Sequence, residues 1–72
     1  MSDDEVVSSC DEAERLAGVR RHNGKGELPA RVCPDGLNLE PTSVNNMEEL
    51  RETVSYAIGK SPYGRAKIFW PE

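Results

Sequence analysis

The sequence predicts a small two-layer α+β domain. One segment carries apolar residues at helical spacing, others alternate apolar and polar residues, and turns rich in glycine or proline lie between them. The expected order is α-β-β-α-β, with a three-stranded sheet and the second helix packed on one of its faces. At 72 residues the chain has room for one core, because the buried fraction of the surface falls with size.

Residues 1–8 open with acids and show no periodic partner, so they read as a flexible acidic N-terminal tail ahead of a single domain spanning 9–72. Ser9 and Glu12 then stand at the S-x-x-E spacing of a capping box, in which the serine oxygen accepts an orphan backbone N–H and the glutamate reaches back. Cys10, Ala13, Leu16 and Ala17 follow at helical spacing. The first helix is thus expected from Cys10 to Ala17, with Gly18 either ending or weakening it. His22-Asn23-Gly24-Lys25-Gly26 reads as a turn or loop, since both glycines accept positive φ. The competing arrangement is a hairpin of Val19–His22 with Lys25–Leu28 around Asn-Gly.

Leu28, Ala30 and Val32 alternate with Pro29, Arg31 and Cys33, the pattern of a strand with one buried face. Pro29 places its position near a strand start or an edge. Pro34-Asp35-Gly36 has the chemistry of a turn, with proline presetting φ and glycine free to take the left-handed position. It leads into Leu37-Asn38-Leu39-Glu40, which alternates again and completes a hairpin. Such a hairpin is marginal by itself, so its apolar face needs a cover.

That cover is the helix expected from Asn46 to Ile58, whose Met47, Leu50, Val54, Ala57 and Ile58 fall on one face. Asn46 with Glu49 fits the start, with Ser43 or Asn45 as other caps, and Gly59 beside Lys60 suits the end. Ser61-Pro62-Tyr63-Gly64 then turns the chain into the last strand, Arg65-Ala66-Lys67-Ile68-Phe69-Trp70, which Pro71 stops. If that strand lies parallel to Leu37–Glu40, the crossover is right-handed. The expected core sets Met47, Leu50, Val54 and Ile58 against Leu28, Val32, Leu37, Leu39 and Ile68.

Nine Lys/Arg against thirteen Asp/Glu give a net charge of −4, which works against general attraction to phosphate backbones or anionic lipid. No apolar run suffices to span a bilayer, so no membrane partner is expected. The acidic N-terminus lacks the positive charge and apolar stretch of a signal peptide, which makes the cytoplasm the expected compartment. Cys10 and Cys33 are expected as free thiols.

Chemistry-bearing motifs are sparse. Ile58-Gly59-Lys60-Ser61 ends like a phosphate-binding loop, but Val54 stands where the first glycine belongs and a helix precedes it where a strand is required. Cys10, Cys33 and His22 lack metal-ligand spacing, and His22 has no carboxylate placed to orient it as a base. Asp11/Glu12 and Glu48/Glu49 are consecutive and diverge around their helices. The expectation is a non-enzymatic protein without cofactor or metal.

Two sets of residues remain as candidate partner contacts. Arg15, Arg20, Arg21, His22, Lys25 and Arg31 concentrate positive charge in 15–31, and Arg20, Arg21 and Lys25 flank the glycine-bearing loop, where guanidinium groups can grip phosphate or carboxylate. The bland alternative is a solvated loop balancing the acidic N-terminus. On the last strand, Ala66, Ile68 and Trp70 share one face, and Arg65, Lys67 and Phe69 the other. A single covering helix leaves one large ring outside the core, unless the first helix buries Phe69. These features favour a protein-interaction module, an inhibitor or adaptor that docks on a larger protein or enzyme by a sheet face or an edge strand, with homodimerisation through such an edge as one arrangement. The alternative is a nucleic-acid-binding module using 15–31 and the aromatics Tyr63, Phe69 and Trp70. A third reading is an accessory domain or subunit of an enzyme.

Overall fold

A computed structural model describes residues 3–71; residues 1, 2 and 72, including the start of the expected tail, lie outside the described residues. The α+β class holds, but with four strands instead of three. The elements are β1 (Asp3–Val7), α1 (Cys10–His22), β2 (Ala30–Pro34), β3 (Thr42–Val44), α2 (Met47–Lys60) and β4 (Ala66–Trp70). The strands form one sheet in the order β1-β4-β2-β3, with every adjacent pair antiparallel. Two β-α-β units therefore interleave: β1 and β2 flank β4, while β3 and β4 flank β2.

Both helices lie on the same face of the sheet. Ala13 and Ala17 of α1, with Leu50, Val54 and Ala57 of α2, share one core with Val7, Ala30, Val32, Val44, Ala66, Ile68 and Trp70. The alanines of α1 carry no bulk beyond Cβ, which lets the helix approach α2 closely. Met47, Leu28 and Ile58 pack at the rim of this core as partly buried residues.

Local chemistry explains the helix limits. Ser9 accepts from the Glu12 backbone N–H at 3.1 Å, and the Glu12 carboxylate accepts from the Ser8 backbone N–H at 2.9 Å. Gly18 does not end α1, which continues to His22 with Arg20, Arg21 and His22 in its last turn, where the helix dipole favours cations. The stop is Asn23-Gly24, a turn that opens into the irregular segment 25–28, so the turn-or-loop expectation holds beyond His22 and the hairpin does not form. Gly24, at φ 74°, donates to the Arg21 carbonyl, and Lys25 donates to the Arg20 carbonyl, the paired bonds of a Schellman cap. In α2, Asn46 accepts from the Glu49 N–H at 2.8 Å, and the Glu49 side chain accepts from the Asn45 N–H. Gly59 lies inside this helix, which ends at Lys60 with Ser61 as its cap, held extended by the proline that follows.

Three sequence expectations are corrected by the sheet. The acidic start forms the edge strand β1, whose Val7 is fully buried. Leu37–Glu40 is no strand; Leu37 and Leu39 are exposed, and the partner of β2 is Thr42–Val44. β4 runs antiparallel between β1 and β2 and forms no parallel crossover with 37–40.

The turn at Asp35 and Gly36 explains the displaced strand. The Asp35 N–H donates to the Arg65 carbonyl at 3.0 Å, and the Ser61 hydroxyl donates to the Asp35 carbonyl at 2.6 Å. The chain is thereby tied to the approach to β4 and directed away from pairing with β2. Gly36 sits at φ 89°, and a Cβ there would lie 2.5 Å from Tyr63 Cε2 and 3.1 Å from Pro62 Cγ. Gly36→Ala is expected to cost about 1–3 kcal/mol, from the left-handed backbone and the displaced ring together. Gly24→Ala, at a similar φ with open space around it, should cost only the backbone share. Thermal melts of the two variants check that order.

Candidate functional site

With both helices on one side, the other face of the sheet is uncovered, and strand register dictates what it presents. Phe69 of β4 pairs with Asp4 of β1 on one side and Arg31 of β2 on the other, while Lys67 pairs with Val6 and Cys33. Side chains alternate across a strand, so Asp4, Val6, Arg31, Cys33, Lys67 and Phe69 share this face and Ile68 and Trp70 turn inward. Phe69 is half-buried, and Val6, at 42% exposure, stands near it. The chain after β2 folds beside them and forms an open cavity of about 470 Å³ bounded by Cys33, Leu37, Leu39, Pro41, Lys67 and Phe69.

Charges around this face are largely matched. Lys67 Nζ lies 3.5 Å from the Asp4 carboxylate and 5.5 Å from the centre of the Phe69 ring. Arg65 pairs with Asp35 at 2.9 Å and also lies over the Tyr63 ring. Arg31 is exposed and has no hydrogen-bond or ionic partner among the described residues.

The candidate partner residues are thus divided. Arg65, Lys67 and Phe69 stand together on or beside the uncovered face. Arg20 and Trp70 do not reach the surface: Arg20 is 7% exposed, Trp70 is 4% exposed, and the guanidinium lies 5.6 Å from the indole centre. Arg20 Nε donates to the Gly26 carbonyl at 2.6 Å and a terminal nitrogen donates to the Pro71 carbonyl. It therefore ties the last turn of α1 to the following loop and to the end of β4. Arg21 pairs with Glu27, and Lys25 is exposed in the loop. The positive charge of 15–31 consequently does not form one surface, since Arg20 is interior and Arg31 faces away from the helices.

The thiols are free and separate. Cys10 donates to the Arg51 carbonyl in the helix layer, whereas Cys33 lies on the sheet side. His22 is exposed at the end of α1, so these three groups do not converge. Among the described residues, no group of three or more His, Cys, Asp and Glu side chains is placed to hold a metal ion, and no helix is long and apolar enough to cross a membrane.

Burial pushes the Cys33 thiol above its ordinary 9.0, with nearby Asp35 adding to the rise and Lys67 opposing it. The neutral thiol is therefore favoured in the folded state. Its contribution to stability is complete below the unfolded thiol's pKa and is lost as pH rises through the higher folded value. At neutral pH, iodoacetamide should modify Cys33 far more slowly in the native protein than in urea, because the thiolate is the nucleophile. Peptide mapping after timed alkylation measures this. Equal rates in both states would contradict the burial of Cys33.

No family model, curated protein or solved structure matches this chain.

Proposed function

We propose that the protein is a small non-enzymatic interaction module, an inhibitor or adaptor that docks on a larger protein or enzyme through the uncovered face of its sheet. The observation that carries this reading is the make-up of that face. Phe69 is half-buried near the exposed apolar side chains of Val6, Leu37 and Leu39, while Asp4–Lys67 and Asp35–Arg65 neutralise one another around them. An apolar centre with a polar rim is how protein interfaces are built.

Matched charges also favour a protein over a nucleic acid. Strand-binding grooves depend on several cations free to replace counterions along a phosphate backbone. The face is favoured over an edge as well. β1 carries Asp4 and Glu5, and β3 has only three residues behind Pro41, both features that discourage strand addition and edge-to-edge dimers.

A photo-crosslinking residue placed at Phe69, compared with one at Ser55 on the exposed side of α2, tests the reading in an extract of the source cells. The expected result is a defined protein crosslinked from position 69 and absent from position 55. Against that protein, Phe69→Ala should weaken binding by about 2 kcal/mol, near thirtyfold, with an unchanged circular dichroism spectrum. Arg21→Ala should have little effect, since Arg21 belongs to α1 in the helix layer, away from the uncovered face, and pairs with Glu27. Wild-type affinity in Phe69→Ala, or crosslinks to nucleic acid alone, would overturn the proposal.

A further inference from the structure

Resting on the docking reading above, we infer that the uncovered face takes an acidic, leucine-bearing peptide segment, with an apolar side chain in the cavity beside Phe69 and a carboxylate on Arg31. The open cavity of about 470 Å³ supplies the apolar half along the wall formed by Leu37, Leu39, Pro41 and Phe69, while its other wall carries Asn38 and Asp35, the latter engaged by Arg65. The apolar wall of such a recess can seat an aliphatic side chain of a partner, with room for the chain that carries it, in the anchor-in-pocket arrangement that dominates interface energetics.

Arg31 supplies the polar half. It stands directly across from Phe69, and on β2 it precedes Cys33 by two residues on the same face, a step of roughly 7 Å. Lys67 is engaged by Asp4 and Arg65 by Asp35, which leaves Arg31 as the cation next to the recess without an anionic partner among the described residues. A guanidinium so placed matches a planar carboxylate through two parallel hydrogen bonds. A basic segment would set its own cations against Arg31, and a nucleic acid would find one unmatched cation where several are needed. The match is therefore local charge complementarity. Salt screens both the local attraction to Arg31 and the long-range repulsion between the net −4 chain and an acidic partner, and because the two oppose one another the affinity should change little with salt.

The test titrates the full ¹⁵N-labelled chain with three short synthetic peptides of equal length, in which leucine is interspersed with glutamate, with lysine or with glutamine, and with oligothymidylate. The leucine–glutamate peptide should shift the backbone amides of Arg31, Cys33, Leu39 and Phe69 and bind at least about tenfold more tightly than the leucine–lysine peptide. Arg31→Glu should reverse that preference, Arg31→Gln should abolish it, and Leu39→Ser should weaken every peptide. If all three peptides shift the same amides with equal affinity and Arg31→Glu changes nothing, the acidic partner is wrong while the docking face stands. If no peptide shifts these amides, the inference fails and the docking face is judged by crosslinking at position 69. If oligothymidylate alone shifts them, both fail.

Discussion

Leu50→Ala is expected to destabilise the domain by about 2–5 kcal/mol, the range for truncating a fully buried leucine whose surroundings collapse only partly into the space left. Leu50 has no exposed surface and is foremost among the fully buried side chains. It belongs to the one core that α1, α2 and the sheet strands share, so its removal disturbs a cluster built from both halves of the fold. A domain of this size sits near the lower end of the usual stability of ~5–15 kcal/mol, and such a loss leaves a substantial unfolded population at ambient temperature. Met47 is on the same helix face but at the rim of the core, so Met47→Ala should cost less than half as much. Urea titrations of both variants check the order. A Leu50→Ala midpoint equal to that of Met47→Ala would place the centre of the core elsewhere.

Arg20→Ala is the second large effect, expected at about 3 kcal/mol. The guanidinium is almost wholly buried, its hydrogen bonds are made by a charged donor, and each such bond is worth about 1.5–3 kcal/mol. Stacking against the Trp70 ring adds a desolvated cation–π contact. Arg20→Lys should recover only part of the loss, because one ammonium group cannot reproduce the planar fork that reaches both the Gly26 and Pro71 carbonyls. Trp70 is the single tryptophan, and its intrinsic fluorescence reports directly on this contact. The emission of Arg20→Ala should change even in the folded state. Unaltered stability with unaltered emission would show that Arg20 is dispensable and return it to the candidate binding residues.

Much of the fold was legible one element at a time. Ser9 with Glu12 and Asn46 with Glu49 announced both helix starts, because a cap needs only a side-chain oxygen and an N–H three residues away. The apolar face of α2 was equally plain, since helical periodicity is written in adjacent residues. So was the division of the last strand, with Ile68 and Trp70 on one side and Phe69 on the other, because alternation is a property of the strand itself.

What escaped depends on partners far away in the chain. Asp3–Val7 reads as an acidic tail until β4 supplies backbone partners and Lys67 approaches Asp4. Leu37–Glu40 alternates as well as a true strand does, yet the bonds of Asp35 to Ser61 and Arg65 carry it off the sheet. Asn23-Gly24 is compatible with a hairpin, a loop or a helix end, and only the continuation of α1 through Gly18 makes it a cap. The site divides along the same line. Residue type marked Arg65, Lys67, Phe69 and Trp70 alike as partner-contact candidates; alternation set Trp70 on the opposite face from the other three, and only the packed core showed it to be buried. Tertiary structure alone placed Arg31 across from Phe69, brought Leu37 and Leu39 beside them, and took Arg20 inside. The reason is physical: caps and periodicities are satisfied within a few residues, whereas strand order and the burial of a cation are decided by groups that meet only after the chain has closed on itself.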